Sequence, residues 1–380
     1  AASALYLFVV VPHYWESANY YNRDFTTLER LLSQARVLAL YLWQILVPLP
    51  SHMPFYYDWL QPSRGLLQPW TTLPALLLLA GLLGVAWRLR HRRPLFALGV
   101  FLFFAGHFVA SNVIGLELAF EHRNHFPMIG ALLAIGDLLT ASARRLHAPM
   151  KIAPLAVLGL LLGLGVATAS RAHAWRGDLS LATASTQLAP TSTRAWNALC
   201  VTYFDLGGGP RADNPNLDKA IAACSKAAEV GPDNVKVLAN IIAFKALRGD
   251  VPDADWVRYL DRLRTATMTP DNASAIWVVL NRARDGSKLD ADRILQAIET
   301  INRRTKVKAI ESAAFGYFIL GNTSQPDKAY AYFAQAARTT TDPTFAASLA
   351  EDLRKEGKPD WAARLLTERR QAEREAGAMP

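Results

Sequence analysis

Hydrophobic and polar positions divide the chain into an apolar half and a charged half. Residues 1–170 carry 7 acidic and 12 basic side chains, whereas residues 171–380 carry 25 acidic and 29 basic ones. Four stretches of the first half are long enough, or nearly so, to cross a bilayer core of about 30 Å as helices; they are residues 72–89, 94–114, 126–142 and 152–170. The pattern predicts an all-α protein, a transmembrane helical bundle followed by a soluble domain.

Two shorter segments complete the membrane half. Residues 1–12 begin inside an apolar run with no basic region before it, and we interpret them as the end of a first span that starts upstream of Ala1. Residues 34–48 have a helical pattern but are short and contain Arg36 and Gln44. We therefore favour a helix in the outer membrane interface over a further span, and the aromatic side chains around it are typical of such a boundary.

Two basic connectors orient the membrane half. Residues 88–94 contain four arginines and residues 144–151 contain three cations, and short connectors of this kind stay in the cytoplasm. Two spans separate them, so the loop at residues 115–125 and everything after Ser170 face outward. The sequence predicts an integral protein, in the bacterial inner membrane, with residues 171–380 in the periplasm.

The charged half has the pattern of a tetratricopeptide-like α-solenoid. Trp196 and Tyr203 are spaced as on the first helix of such a repeat, and Ala220 and Pro232 as on its second. A glycine-rich insertion at residues 206–215 accounts for the extra length between them. These aromatic residues are therefore expected to pack in the core.

A second, weaker repeat follows later in the chain. Phe315 and Gly316 precede Ala329, Phe333 and Ala336 at the repeat spacing. The final helix, residues 359–375, is polar enough to cap a solenoid. Arrays of this kind usually bind a protein segment on their concave face, so the expected partner of this domain is another protein.

Cys200 and Cys224 are the only cysteines, and both lie in the first repeat on helices that face each other. An oxidising compartment permits a disulfide between them, while two buried thiols would give the same sequence. A metal site is disfavoured because His173, the only histidine of the soluble half, lies far upstream. We predict neither a metal nor a cofactor.

The net charge of +9 does not indicate a nucleic-acid partner. The soluble half mixes both signs evenly and lacks the basic stripe that binding to phosphate backbones needs. Much of the excess in the membrane half belongs to the cytoplasmic connectors described above.

The predicted outward loop concentrates ionisable side chains at the membrane boundary, where they cost free energy and often mark function. Its members are Glu117, Glu121, His122, Arg123 and His125. On a helix Glu117 and Glu121 would share a face, and the planar guanidinium of Arg123 suits a phosphate or a carboxylate. Two alternatives stay open at this point, a binding site and a structural network that ties two spans together.

Several motifs resemble a known family. The run at residues 121–127, Glu-His-Arg-Asn-His-Phe-Pro, resembles the Glu-Arg…Tyr-Pro signature of transmembrane O-mannosyltransferases of the TMTC type and their bacterial relatives. Residues 23–48, Tyr57–Trp59 and Ser63–Gly65 also resemble them, as does the order of spans followed by outward repeats. This family is similar to the GT-C glycosyltransferases, which transfer a sugar from a polyprenyl-phosphate carrier at the outer face of the membrane.

The resemblance implies roles for individual residues. Arg123 would pair with the carrier phosphate as negative charge develops on the leaving group. Glu121, Glu117 and His122 would lie around it, and Arg64 or Arg36 would assist. The catalytic carboxylate of the family lies in an earlier outward loop, upstream of Ala1.

The predicted function is therefore the C-terminal portion of a polyprenyl-phosphate-sugar-dependent membrane glycosyltransferase. Its expected partners are the lipid-linked sugar, a protein acceptor on the repeats and membrane lipids. One alternative is a non-enzymatic membrane-anchored scaffold for pilus or envelope assembly. Another is an O-antigen ligase or oligosaccharyltransferase of a different multi-span class.

Overall fold

The computed structural model describes residues 8–9, 11–15, 24–145 and 152–377. Across these residues the chain forms 17 α-helices joined by turns and short 3-10 helices, which confirms the predicted all-α fold. Two compact units are present, residues 1–206 and residues 207–380. Most of the predicted first span, residues 1–12, lies outside the described residues.

The first unit contains the apolar helices. In chain order its helices are α1 (Val11–Trp15), α2 (Thr27–Leu46), α3 (Thr72–Leu89), α4 (Pro94–His107), α5 (His125–Arg145), α6 (Ile152–Ala174), α7 (Asp178–Leu188) and α8 (Thr193–Leu206). Among the described residues, three segments are long and apolar enough to cross a membrane: α3, Glu121–Arg145 around α5, and Pro154–Ala174 within α6. The chain is therefore a membrane protein by the length and composition of its helices.

Helix α4 is shorter than the span predicted at residues 94–114. It has 14 residues and ends at His107. The chain leaves the helical path there because Arg30 takes the carbonyl oxygens of Ala110 and Asn112 as hydrogen-bond acceptors.

Helices α4 and α5 approach each other closely at two glycines. A Cβ atom on Gly99 would lie 2.5 Å from the carbonyl oxygen of Gly130, and one on Gly130 would lie 2.5 Å from that of Gly99. Small residues allow membrane helices to pack at short distance. Phe96, Val100 and Ala134 form the buried core beside this contact.

Helix α2 is longer than the interfacial helix predicted at residues 34–48. It begins at Thr27 because Thr26 and Glu29 form a capping box, in which Thr26 Oγ1 accepts from the Glu29 N–H and the Glu29 carboxylate accepts from the Thr26 N–H. Its buried face contacts the loop after α4 and the segment before α3.

Helices α7 and α8 pack on each other within the first unit. The predicted boundary at residue 170 separates membrane from soluble residues, whereas the compact units divide after Leu206. The reason is that Ser192 and Arg194, at the start of α8, bond to Asp58 in the segment between α2 and α3.

The second unit consists of consecutive short helices. They are α9 (Leu217–Val230), α10 (Val235–Ala246), α11 (Asp253–Thr265), α12 (Pro270–Arg284), α13 (Ala291–Arg304), α14 (Ala309–Asn322), α15 (Ala329–Thr339), α16 (Pro343–Lys355) and α17 (Pro359–Gly377). Most consecutive helices pack on each other, and α10 also packs on α12, α11 on α13 and α15 on α17. This order of contacts is consistent with a helical repeat.

Helices α14 and α15 correspond to the second repeat of the sequence pattern. Phe315 and Phe333 are buried between them and their neighbours. A Cβ atom on Gly316 would lie 2.7 Å from the Phe333 ring, so the absence of a side chain at Gly316 makes room for that ring. In the first repeat pattern, Trp196 and Tyr203 are half-buried.

Cys200 and Cys224 are both disulfide-bonded. Of the two alternatives that the sequence left open, the oxidised form is therefore the one found. Disulfides persist in oxidising compartments, so the bond fits an extracytoplasmic location for this part of the chain.

Candidate functional site

A buried arginine of α2 shapes the loop between α4 and α5. Arg30 is fully buried, and its guanidinium donates to the carbonyl oxygens of Ala110 at 2.9 Å, Asn112 at 2.6 Å and Leu116 at 2.5 Å. A buried charge is tolerated only when its donors are satisfied. Arg30 therefore fixes the path of the chain from the end of α4 to Leu116.

Two further side chains of α2 hold the next residues of this loop. Gln34 Nε2 donates to the carbonyl oxygen of Leu118 at 3.0 Å. The hydroxyl of Tyr41 donates to the carbonyl oxygen of Phe120 at 2.9 Å and accepts from its N–H at 2.8 Å. These bonds satisfy the backbone without a helix.

The expectation that Glu117 and Glu121 share a helical face is wrong. Residues 115–120 are not helical, and a 3-10 helix begins only at Glu121. Buried hydrogen bonds from side chains of α2 satisfy the carbonyl groups of this loop, so the loop is stabilised without helical hydrogen bonds.

Arg123, the residue expected to pair with a lipid phosphate, contacts the loop itself. Its Nη1 donates to the carbonyl oxygen of Glu117 at 2.6 Å. Its guanidinium carbon lies 5.5 Å from the centre of the Phe120 ring, within the range of a cation–π contact. Both contacts give Arg123 a structural task in the loop.

The carboxylate of Glu117 pairs with an arginine at the start of α8. Arg194 Nη1 lies 2.7 Å from Glu117 Oε1, and Arg194 Nε donates to Asp58 Oδ1 at 2.7 Å. Burial alone would lower the pKa of Arg194, but the hydrogen bonds and charges of Asp58 and Glu117 outweigh it and raise that pKa. Ser192 Oγ also donates to Asp58.

The carboxylate of Glu121 pairs with Arg171 near the end of α6. Arg171 Nη2 donates to Glu121 Oε2, and Arg171 Nη1 donates to the carbonyl oxygen of Met53 at 2.6 Å. The guanidinium carbon lies 4.4 Å from the centre of the Phe55 ring. Glu121 is therefore neutralised by a cation that the sequence pattern did not single out.

Arg64 is also neutralised. Its guanidinium pairs with Glu29 at 2.8 Å and with Asp24 at 3.2 Å. Burial acts to raise the pKa of Glu29, but the hydrogen bond from the Thr26 backbone and the charge of Arg64 lower it on balance.

Arg36 differs from the other predicted arginines. It is half-buried, and its Nη1 donates to the carbonyl oxygen of Gln61 at 2.7 Å and to Ser63 Oγ at 3.4 Å. Within the part of the chain that the structure describes, Arg36 has no carboxylate partner. Burial without a counter-charge lowers its pKa.

An apolar groove begins one helical turn after Arg36. It has a volume of about 490 Å³ and is lined by side chains of α2, α3, α4 and α5. Ala39 and Trp43 of α2 line it, three and seven residues after Arg36, and helical spacing places such residues on the same side of the helix. Leu82, Val100 and Ile135 lie among the lining residues of the other three helices.

A second cavity lies where Glu121 meets α6 and α7. Its volume is about 560 Å³, and we call it the aromatic cavity. The lining residues are Pro54, Phe55, Tyr56, Phe120, Glu121, His122, His125, Arg171, Trp175, Leu181 and Ser185. It combines four aromatic rings with ionisable and hydroxyl side chains, as binding sites for small molecules do.

The predicted residues thus fall into separate groups. Glu121 and His122 line the aromatic cavity. Glu117 and Arg123 make the contacts that stabilise the loop, and Arg36 lies one helical turn before the apolar groove. Nowhere among the described residues do three His, Cys, Asp or Glu side chains come together as metal ligands.

Sequence reasoning missed three arginines and the aromatic segment before α3. Arg30 and Arg171 lie inside or beside apolar segments, where a charged side chain costs free energy, and that cost could have marked both as important. Arg194 lies in a segment of mixed charges, where nothing in the sequence distinguishes it. Phe55 and Tyr56 belong to the aromatic side chains after residues 34–48, and their sequence pattern indicates only a membrane boundary.

No protein-family model, curated protein or solved structure matches this chain.

Proposed function

We propose that this chain is the C-terminal portion of a membrane glycosyltransferase that uses a polyprenyl-phosphate-linked sugar. The observation that supports this most directly is the pairing of an uncompensated cation with an apolar groove. Arg36 supplies the cation, and the groove begins at Ala39 on the same helix. A lipid with a long hydrocarbon chain and a phosphate has both matching parts.

The groove suits hydrocarbon because of the helices that form it. Helix α3 and the segment around α5 are apolar and long enough to cross a membrane, so the surrounding medium is lipid rather than water. Leu42, Leu82 and Leu138 are typical of the lining. A branched isoprenoid chain would displace other lipid tails there and gain contact with these side chains.

The cation suits a phosphate because its remaining donors are available. Arg36 uses Nη1 for Gln61 and Ser63, while Nε and Nη2 bond to nothing in the described chain. A guanidinium binds phosphate oxygens through two parallel N–H donors. Among the arginines that the sequence singled out, Arg36 is therefore preferred to Arg123 and Arg64 as the phosphate ligand.

The repeats and the disulfide support the rest of the proposal. A helical repeat commonly binds a protein segment, which here would be the acceptor or a protein that delivers it. The disulfide at Cys200 and Cys224 fits the outer side of the membrane. The disulfide and the basic connectors together support the proposed periplasmic location of residues 171–380.

The test compares three variants of the full-length protein in lipid nanodiscs. Arg36→Ala is expected to reduce retention of polyprenyl phosphate, measured by native mass spectrometry, by about tenfold or more, and Arg36→Lys by less. Arg90→Ala is the matched control, since Arg90 follows α3 directly and its guanidinium contacts Trp87 at the end of that helix. Inorganic phosphate is added in a separate arm to show whether the lipid chain is needed.

The same variants are then assayed for glycan transfer in cells at matched expression. Loss of lipid retention and transfer in Arg36→Ala, with normal behaviour of Arg90→Ala, is the expected result. Normal transfer by a normally inserted Arg36→Ala protein would overturn the phosphate role.

A non-enzymatic scaffold is the second candidate, and one observation favours it. Glu117, Glu121 and Arg64 are all engaged in ion pairs that hold the first unit together. A scaffold predicts that no variant of Arg36 changes glycan transfer, while disruption of those ion pairs impairs assembly of the envelope structure.

A further inference from the structure

The aromatic cavity contains an ion pair that cancels its charge. Arg171 and Glu121 are hydrogen-bonded to each other, so neither is an uncompensated charge. A phosphate or another anion would find no spare cation between them, in contrast to the situation at Arg36. The charge balance favours an uncharged ligand.

Aromatic faces and hydrogen-bonding groups alternate around this cavity. Trp175 is 62% exposed although it lines the cavity, and its ring meets Phe55 edge to face at 5.6 Å. Large aromatic side chains are usually more buried than this. An exposed ring face beside polar groups is suited to the apolar C–H face of a pyranose.

The polar groups of the cavity can both donate and accept. The imidazoles of His122 and His125 are exposed, and Glu121 Oε1 accepts no hydrogen bond within the described chain. The hydroxyl of Tyr56 and the indole N–H of Trp175 are likewise unused by described residues. Sugar hydroxyls donate and accept at once, so they match this mixture better than a purely apolar ligand does.

We infer that the aromatic cavity binds a neutral sugar residue, stacked on Trp175 and hydrogen-bonded to Glu121 and the two histidines. The inference does not rest on the proposed transfer reaction, because Arg36 does not line the aromatic cavity and no residue lines both this cavity and the apolar groove. The sugar is either part of a free glycan or the head of a lipid-linked carrier, and the test separates these sources.

The test uses the full-length protein in nanodiscs and saturation-transfer NMR. The probes are the methyl glycosides of glucose, galactose, mannose and N-acetylglucosamine, each added alone. With the wild type, at least one glycoside is expected to give a saturation-transfer signal. With Trp175→Ala, that signal is expected to be at least tenfold weaker. Trp59→Ala is the matched control, since Trp59 is 49% exposed and lies outside the cavity lining.

A second variant guards against a loss of folding. Glu121→Gln keeps the size of the side chain but changes its hydrogen bonding, and it is expected to weaken the same probe while thermal unfolding shows a cooperative transition. His125→Ala, at an exposed position, is expected to weaken it as well.

Two results would overturn the inference. In the first, none of the four glycosides receives saturation, and Trp175→Ala binds a polyprenyl-phosphate-hexose no more weakly than the wild type does. The other is equal binding by wild type, Trp175→Ala and His125→Ala. Binding of the polyprenyl-phosphate-hexose without binding of any free glycoside, and lost in Trp175→Ala, assigns the cavity to the carrier; binding of free glycosides assigns it to glycans.

Discussion

Arg30 Nε donates to the carbonyl oxygen of Asn112 at 2.6 Å, 82 residues further along the chain. This bond and its two neighbours connect α2 to the loop that follows α4. They hold the loop in a non-helical path and thereby place Glu117 and Glu121 toward different arginines. The position of the charged loop is decided by a residue far from it in sequence.

Replacement of Arg30 is expected to destabilise the first unit strongly. Arg30→Met leaves three carbonyl oxygens without their donor in a buried place, and truncation of one partner of a buried charged network costs about 3–5 kcal/mol. The midpoint of thermal unfolding in detergent measures the effect. Arg90→Ala serves as the control, and an equal midpoint for both variants would contradict this role.

Substitution of the two close glycines is expected to force α4 and α5 apart. Gly99→Ala or Gly130→Ala places a methyl group 2.5 Å from a backbone oxygen, and overpacking of this kind costs about 1–3 kcal/mol. Gly81→Ala and Gly84→Ala in α3 are matched controls, because a Cβ at either position meets nothing within 4 Å. The prediction fails if all four variants unfold at the wild-type temperature.

Loss of Arg194 is expected to loosen α8 from the segment between α2 and α3. Arg194→Gln leaves the carboxylates of Asp58 and Glu117 close together without their shared cation, and we expect about 1–3 kcal/mol of lost stability. Arg211→Ala removes an exposed pair with Asp213 and is expected to change little.

Hydrogen exchange is the measurement that checks the Arg194 prediction. Faster exchange of amides near residues 56–60 and 193–198 in Arg194→Gln, with an unchanged pattern in Arg211→Ala, is the expected outcome. Unaltered exchange in both variants would show that the ion pairs do not hold these segments together.

Reduction of the disulfide is expected to lower stability by about 3 kcal/mol, since the bond closes a loop of roughly 25 residues in the unfolded chain. Thermal unfolding of the wild type with and without dithiothreitol measures this. The double variant Cys200→Ser, Cys224→Ser is expected to unfold at the lower temperature and to be insensitive to the reductant. Equal sensitivity in both proteins would assign the effect to something other than this bond.

Labelling of introduced cysteines tests the placement of α2. In the cysteine-free double variant, Leu28→Cys and Leu49→Cys lie at exposed positions near the two ends of α2. An interfacial helix predicts that a membrane-impermeant maleimide reaches both from the same side in intact cells. Labelling of only one of them, with the other reached after permeabilisation, would show that α2 crosses the membrane.

The sequence was sufficient for the parts of the fold that depend on local pattern. Apolar length predicted α3, α5 and α6, and repeat spacing predicted the pair that buries Phe315 and Phe333. These features follow from hydropathy and from contacts over short distances along the chain.

The arrangement of the candidate site depends on contacts over long distances along the chain. Which arginine neutralises Glu121 is decided by the approach of Arg171, fifty residues away, and every arginine in the sequence has the same chemical capacity to do so. Arg123 and Arg36 look equivalent as residue types. Only the packing shows that Arg36 is half-buried and has no carboxylate partner among the described residues.

The last membrane helix has a mechanical consequence. No residue in the apolar window of Pro154–Ala174 is buried, and Arg171, near its end, is the residue that meets Met53, Phe55 and Glu121. At 1.5 Å per residue, its 21 residues act as a spacer about 31 Å long. The length of this helix, and not the shape of its surface, sets the position along the helix axis at which Arg171 reaches the aromatic cavity. A one-residue deletion would therefore rotate Arg171 away from the cavity, although the hydropathy of the helix would hardly change.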